Sequence, residues 1–302
     1  MDTHFLAFEA LGATVQLTGD FTIEAAALKG ADMFLDEPSV TGTENAIMAA
    51  VRAKGTSRIR NAAAEPHVQD LCNLLNAMGG RIRGIGTGIL DIEGVERLGG
   101  ARFTIGADHI ETGSFIGLAA VTRSELVIEG APLPHLDSTL LGFRRLGVDC
   151  TVEGTDLRVH GDREHVVRQD AFGHVPKIDD GPWPAFPADL TSIALVTATQ
   201  CRGTVLVHEK MFESRMYFTD KLVGLGASVI LCDPHRAVVV GPSRLTGGVV
   251  ESPDIRAGMA LLIAALGADG TSRIKNIRQI ERGYESIDER LRGLGAHIQR
   301  EE

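Results

Sequence analysis

Ala77-Met78-Gly79-Gly80 is one of five versions of a single phrase in this 302-residue chain. The others are Ala10-Leu11-Gly12-Ala13, Arg145-Leu146-Gly147-Val148, Gly224-Leu225-Gly226-Ala227 and Gly293-Leu294-Gly295-Ala296. The glycines Gly12, Gly79, Gly147, Gly226 and Gly295 recur at intervals of 67, 68, 79 and 69 residues. A fixed period of this length marks a chain built from repeated modules. Before each glycine the apolar residues fall near helical spacing, as in Val68, Leu71, Cys72, Leu75 and Met78. After it comes an alternating strand such as Ser228-Val229-Ile230-Leu231-Cys232. The glycine itself reads as the left-handed residue that closes a helix, a structural role.

Working outward, one unit reads as a helix over 44–54, Gly55, a strand over 56–60, a helix over 65–78 and a strand pair over 81–85 and 89–93. The order repeats from Glu111, Asp189 and Ile255. With a strand leading into each unit, the fold class is α/β (α+β), made of β-α-β-α-β-β modules. A module of about seventy residues is too small to bury both helices alone, so several must pack their helices together. Residues 1–36 hold only the second half of a module, and the fourth module stops at Ala296-His297-Ile298-Gln299. A sheet missing its first strands exposes unpaired edges, so the chain is expected to be the later part of a longer, N-terminally truncated protein.

Hydrophobic residues make up 44% and charged residues 23%, a profile that excludes disorder. The net charge of −10 argues against general affinity for nucleic acid or anionic membrane, so an anionic substrate needs a local cluster of Arg or Lys. Cys72, Cys150, Cys201 and Cys232 are scattered without paired spacing, which suggests neither a zinc site nor a disulfide framework. They read as buried free thiols in a reducing cytosol. The start, Met1-Asp2-Thr3-His4-Phe5, has no basic targeting region, and the longest apolar run, 259–266, is far too short to span a bilayer.

Chemistry concentrates around Asp180-Gly181-Pro182-Trp183-Pro184-Ala185-Phe186-Pro187-Ala188-Asp189. Its three prolines deny the backbone donors and should hold the segment as an extended, rigid lead-in to the helix pattern over 190–196. Asp189 falls where that helix begins, and its plain reading is an N-cap. Arg215 stands near the start of the next helix, and Arg256 and Arg282 occupy the matching places one module later, with the same spacing of 26 residues. One carboxylate and three guanidiniums thus recur near helix starts, where they could face one cavity. Three guanidiniums suit a ligand with a phosphate and a carboxylate, since each offers planar paired donors. The competing reading pairs each Arg with a surface acid. Glu44 and Glu111, at the earlier first-helix starts, lie in segments that read first as caps.

Several phrases in register carry a family resemblance: Thr43-Glu44-Asn45, Asn61-Ala62-Ala63-Ala64-Glu65-Pro66, the stretch from Ile92 to Gly100, Ile110-Glu111-Thr112-Gly113, Pro184-Ala185-Phe186-Pro187-Ala188-Asp189 and Glu281-Arg282-Gly283-Tyr284-Glu285. The chain resembles the enolpyruvyl transferase (EPSP synthase) family, and within it the UDP-N-acetylglucosamine 1-carboxyvinyltransferases that open peptidoglycan synthesis.

The resemblance implies two globular domains around a cleft, with a boundary near residue 107: the remainder of a first domain over 1–107 and a second over 108–302. It implies no metal or cofactor, small-molecule substrates only, and a cytoplasmic monomer. Members join the 3′-hydroxyl of UDP-N-acetylglucosamine to C2 of phosphoenolpyruvate, and phosphate leaves from a tetrahedral intermediate. By the same resemblance Asp189 is the base at that hydroxyl. Arg215, Arg256 and Arg282 hold phosphoenolpyruvate, Arg282 counting with Asp189 as catalytic. The nucleotide contacts are Asp2, Thr3, Ser39, Val40, Met211 and Phe212. The chain departs from the family pattern in having neither its Lys-Asn pair nor its Gly-rich loop with a reactive Cys, and in carrying Thr41, His109 and Ala188 at positions usually Gly, Arg and Thr. The acid that protonates C3 is then unaccounted for, and the chain by itself is expected to be inactive. The alternative is a non-catalytic sugar-nucleotide-binding or interaction relative of the same fold.

Overall fold

The computed structural model describes residues 1–17 and 19–301. In chain order it opens with helix α1 (Asp2–Ala10) and a hairpin of strands β1 (Thr14–Leu17) and β2 (Phe21–Glu24). A full module follows: β3 (Asp32–Phe34), α2 (Val40–Ala50), β4 (Thr56–Arg60), α3 (Pro66–Ala77), β5 (Arg81–Arg83) and β6 (Ile89–Glu93). Its sheet order is β3-β4-β6-β5, with β3 and β4 parallel and the other neighbours antiparallel. The long β3-to-β4 connection is the helical crossover that parallel strands require, while β5 and β6 join through a short turn.

The second repeat contributes α4 (His109–Val121), β7 (Glu125–Ile128), α5 (Asp137–Arg145), β8 (Cys150–Glu153) and β9 (Asp156–His160). Here the expected leading strand is not found among the described residues: 94–108 is irregular, and the sheet runs β7-β9-β8. Gly94, Gly99, Gly100 and Gly106 break the segment, and its alternation is too weak to hold a strand.

The third repeat is complete: β10 (Lys177–Asp179), α6 (Thr191–Ala198), β11 (Gly203–His208), α7 (Thr219–Gly224), β12 (Val229–Asp233) and β13 (Arg236–Gly241). Its order, β10-β11-β13-β12, reproduces that of the first. The last supplies β14 (Val249–Glu251), α8 (Ile255–Leu266) and β15 (Arg273–Lys275), then α9 (Arg278–Glu281) and α10 (Ile287–Gly293), with β14 and β15 parallel.

All five repeated glycines are left-handed, with φ of +93° at Gly12, +98° at Gly79, +81° at Gly147, +104° at Gly226 and +98° at Gly295. Each closes a helix by the same pair of bonds. Gly79 N–H donates to Asn76 O (3.0 Å) and Gly80 N–H to Leu75 O (2.8 Å), and the other four repeat that pattern.

The chain divides into two compact units, Met1–Gly106 with Pro182–Pro184, and Ala107–Gly181 with Ala185–Glu302. Each has its own core. The first gathers Leu11, Leu35, Ile47, Ile59, Leu90 and Ile92. The second is centred on α4, α6 and α8, the first helices of their modules, which pack on one another. These helices are apolar on nearly every side, which suits them to full burial and to no other place. Gly113 and Gly117 on α4 allow the approach of α6: a Cβ at Gly113 would lie 2.4 Å from Leu190 Cδ1, and one at Gly117 would lie 2.6 Å from Ile193 Cγ2. Among the described residues no helix is long and apolar enough to cross a membrane.

Candidate active site around Asp189

The proline-rich stretch is not the extended lead-in that its composition suggests. Gly181 N–H donates to Phe186 O at 3.2 Å, so the segment closes into a loop. Phe186 drives this closure, since its ring is buried against Phe143 with centroids 6.4 Å apart. Asp189 then sits in a single 3-10 turn, Ala188–Leu190, ahead of α6. Neither the turn nor α6 has a side-chain cap, so Asp189 does not cap the helix. Its two oxygens go to two guanidiniums.

Arg215 Nη1 donates to Asp189 Oδ1 at 2.8 Å. Arg256 donates to Oδ2 through Nε at 3.0 Å, with Nη2 2.9 Å from the same oxygen. Arg215 opens a 3-10 turn, Arg215–Phe218, immediately after the left-handed Ser214, and its guanidinium lies 4.3 Å from the centre of the Phe212 ring. Arg256 is the second residue of α8, whose first turn is capped by Asp254 through the N–H groups of Arg256 and Ala257, both at 2.8 Å. Behind Arg256 lies Tyr284, fully buried, with the Arg256 guanidinium 5.6 Å from its ring centre and its hydroxyl 2.7 Å from Ser114 Oγ on α4. Burial raises the pKa of Asp189, but Arg256 and Arg215 outweigh it and hold the carboxyl below the ordinary value of 3.8. The cluster is therefore a carboxylate between two cations, each only partly exposed, at 19% for Arg256 and 29% for Arg215.

The structure brings together Asp189, Arg215, Arg256 and Phe212. Met211 is adjacent, with its N–H donating to Asp180 Oδ2 at 3.2 Å. Arg282 is placed differently. It follows the one-turn helix α9 as its C-cap, is exposed, and donates to Gln279 Oε1 at 3.1 Å. In the first unit, Asp2 and Thr3 lie in the first turn of α1, and Ser39 caps α2 by accepting from Gly42 N–H at 3.2 Å, with Val40 as the first helical residue. Thr3 Oγ1 donates to Asp36 Oδ1 at 2.7 Å. Glu111 pairs with Arg290 instead of capping α4, whose cap is Asp108.

The cysteines split. Cys72 and Cys201 are buried and Cys150 is half-buried, but Cys232 is exposed, because on β12 it falls on the outward side of the pleat. Burial pushes the thiols up to about 11 for Cys72 and about 12 for Cys150 and Cys201, so none of these three is a ready nucleophile.

The family model for EPSP synthase (3-phosphoshikimate 1-carboxyvinyltransferase) matches residues 1–291. The chain belongs to this family. Within it, the chain is 60% identical over 300 residues to a UDP-N-acetylglucosamine 1-carboxyvinyltransferase of Bradyrhizobium diazoefficiens, covering 99% of this chain and 70% of the relative. Proteins of the same name from Treponema pallidum and Bacteroides thetaiotaomicron are 56% and 50% identical, covering 100% and 99% of this chain and 71% and 70% of their own lengths. Among solved structures, the enolpyruvyl transferase NikO from Streptomyces tendae superposes with a TM-score of 0.85 at 23% identity, over 99% of this chain and 72% of its own. An EPSP synthase from Acinetobacter baumannii gives 0.74 at 18%, over 98% and 70%. These structures share the enolpyruvyl transferase fold with the chain.

Sequence reasoning about this family member overlooked two acids that the fold places beside the cluster. Asp180 and Glu209 are 2% and 0% exposed, and each follows a strand, β10 and β11. The parallel register sets Asp179 against His208, so the next residue on each strand is a carboxylic acid beside the other. Only the register reveals the pair; nothing in the local sequence of either acid marks it.

Proposed function

We infer that this chain serves an enolpyruvyl transfer from phosphoenolpyruvate to the 3′-hydroxyl of UDP-N-acetylglucosamine, with release of phosphate, the first committed step of peptidoglycan synthesis. The observation that carries this reading is Asp189 held between Arg215 and Arg256. A polyanionic substrate bearing phosphate and carboxylate is attracted to the two guanidiniums by charge and by paired donors. As it engages them it competes with Asp189 for the same N–H groups. The carboxylate thereby loses the contacts that depress its basicity and becomes able to accept the proton of the attacking hydroxyl. As the C–O bond forms at C2, C3 takes up a proton from an acid outside the residues assigned here, giving a tetrahedral intermediate whose phosphate and carboxylate charges the guanidiniums stabilise; the bond from C2 to the phosphate oxygen then breaks as C3 gives up a proton, which restores the carbon–carbon double bond as that of the enol ether.

Arg282 is assigned to the phosphoenolpyruvate group by family likeness, and Asp2, Thr3, Ser39, Val40, Met211 and Phe212 to the nucleotide. The protein is read as a cytoplasmic monomer. The test is calorimetric binding of phosphoenolpyruvate, UDP-N-acetylglucosamine and shikimate 3-phosphate, followed by phosphate release in a chimera. That chimera joins this chain to the part of the Bradyrhizobium relative that it does not cover. Binding and turnover with the sugar nucleotide are expected. Turnover with shikimate 3-phosphate in its place would overturn the reading.

A further inference from the structure

Behind the Asp189 cluster lies a cavity of about 10 Å³ lined by Thr191, Ser192, Glu209, Arg215, Asp254 and Arg256, among others. Among the described residues, four buried side-chain atoms of this lining make no hydrogen bond of normal geometry: Thr191 Oγ1, Ser192 Oγ, Glu209 Oε2 and Arg256 Nη1, although Thr191 and Asp180 interact with the Glu209 side chain and Tyr284 with that of Arg256. Orphaned buried polar atoms are costly, and they are usually satisfied by a shared water. The volume is about that of a single water, and the lining supplies the two to four polar partners such a water requires. A larger ligand does not fit.

Glu209 faces this cavity on one side and secures a loop on the other. Its Oε1 accepts from Phe212 N–H at 3.2 Å, while Asp180 accepts from the N–H groups of Lys210 and Met211. Three successive amides, at 210, 211 and 212, are thus held by two adjacent buried acids. The loop they start leads directly to Arg215.

We propose that Glu209 is a positioning residue of the Asp189 site, which through one buried water shared with Thr191, Ser192 and Arg256 fixes the loop 209–215 and hence the separation of Arg215 from Arg256. This rests on the reading of Asp189, Arg215 and Arg256 as the phosphoenolpyruvate site. Two ionised carboxylates cannot sit together in such a place, so Glu209 carries the proton. Burial first, and then the neighbouring Asp180 carboxylate, push Glu209 up to about 8 against the pull of Arg215. The other charged groups around it are Asp254 and Arg256 at the start of α8, Lys210, and His235, whose Nδ1 is 2.9 Å from the Glu209 carbonyl oxygen. Ionisation of Glu209 sets its charge against Asp180 and also draws Arg215 away from an incoming anion.

The experiment compares the wild-type chain with Glu209→Gln, which keeps the shape and neutrality of the protonated acid, and Glu209→Ala, which keeps neither. Phosphoenolpyruvate affinity and the thermal unfolding midpoint are measured from below the ordinary value of 4.5 to above Glu209's value of about 8. A group raised in the folded state stabilises below its unfolded value and loses that contribution as pH rises through the folded one. The wild type should therefore lose stability progressively as pH rises from about 4.5 to about 8, and lose about tenfold or more in phosphoenolpyruvate affinity as pH rises through about 8. Glu209→Gln should match the wild type in stability below about 4.5 and in affinity below about 8, and exceed it in both measures above about 8. Glu209→Ala should be weaker than Glu209→Gln in both measures at every pH. Equal behaviour of the Gln and Ala variants, or a Gln variant that keeps the wild-type pH profile, overturns the proposal. A wild type that binds no phosphoenolpyruvate at any pH counts against the enolpyruvyl transfer reading instead, and the positioning role is then decided by the unfolding midpoints of the three proteins.

Discussion

Arg256 meets a single oxygen of Asp189, Oδ2, with both Nε (3.0 Å) and Nη2 (2.9 Å), across 67 residues of chain. Arg215 takes the other oxygen. Each lone-pair edge of the carboxylate thus has its own guanidinium, and any anion that recruits those donors alters the basicity of Asp189. Under the proposed function, binding of the anionic substrate and activation of Asp189 as the base become one event.

That coupling predicts an unusual profile for Asp189→Asn. The amide cannot accept the hydroxyl proton, so turnover in the chimera should fall by roughly two to four orders of magnitude. Phosphoenolpyruvate affinity, by contrast, should hold or tighten, because the guanidiniums no longer face a competing carboxylate. Phosphate-release assays and calorimetry separate the two quantities. Loss of affinity parallel to the loss of turnover would mean that Asp189 acts by shaping the site and not as a base.

Replacing either guanidinium by an ammonium tests the paired-donor argument. Arg256→Lys retains the charge but cannot present two coplanar N–H groups to one acceptor, so phosphoenolpyruvate affinity should drop by about tenfold or more. Arg215→Lys should behave likewise and also lose the stacking on Phe212. Arg282→Lys separates the family likeness from the geometry. A loss matching that of Arg256→Lys would support its assignment to the substrate, and an unchanged affinity would remove it from the site.

How far the sequence could reach depended on whether a feature is local. The five closing glycines were legible because a left-handed residue after a helix is demanded by a few neighbouring backbone groups. The recurrence of Asp189, Arg215, Arg256 and Arg282 at matched places was legible as repeat arithmetic, and three of the four do converge. Arg282 does not pair with Asp189: its side chain donates to Gln279 Oε1 instead, a local partner that the repeat arithmetic does not reveal. The capping reading of Asp189 was locally reasonable; what overrode it was a pair of long-range ion pairs. The Asp180 and Glu209 pair depended on strand register, which no local pattern encodes.

The α4–α6 contact offers a test of packing close to the site. Gly113→Ala places a methyl 2.4 Å from Leu190 Cδ1 and 2.8 Å from Cδ2, beside Asp189. Overpacking of this kind should destabilise the chain by roughly 1–3 kcal/mol despite the gain in helix propensity. Gly224→Ala on α7, where nothing lies within 4 Å, serves as the control and should be neutral or slightly stabilising. Thermal unfolding of both variants decides it, and equal midpoints would show that α4 and α6 are not packed this closely.

Thiol labelling provides an independent check on burial. Cys232, exposed on β12, should react with an aromatic disulfide reagent in the folded protein. Cys72 and Cys201 should react only on unfolding, since both access and thiolate formation are suppressed by burial. Peptide mapping after brief labelling identifies the modified residue, and rapid modification of Cys201 would contradict the core arrangement around α6.

The last prediction concerns acid. Asp189 has a folded value below its ordinary 3.8, so its contribution to stability is present above that ordinary value and disappears as pH falls through the lower folded one. Asp189→Asn leaves two partly buried guanidiniums sharing one neutral acceptor oxygen in place of a carboxylate. With side-chain exposures of 32% for Asp189, 29% for Arg215 and 19% for Arg256, screening reduces the cost to about 1–2 kcal/mol. Urea midpoints of the wild type and Asp189→Asn should therefore differ by a constant amount through the weakly acidic and neutral range, then converge as pH falls below about 3.8, where the carboxyl of the unfolded chain protonates first and that of the folded protein follows at lower pH. A gap that is absent at neutral pH, or that widens on acidification, would show that the ion pairs with Arg215 and Arg256 contribute nothing to holding the fold.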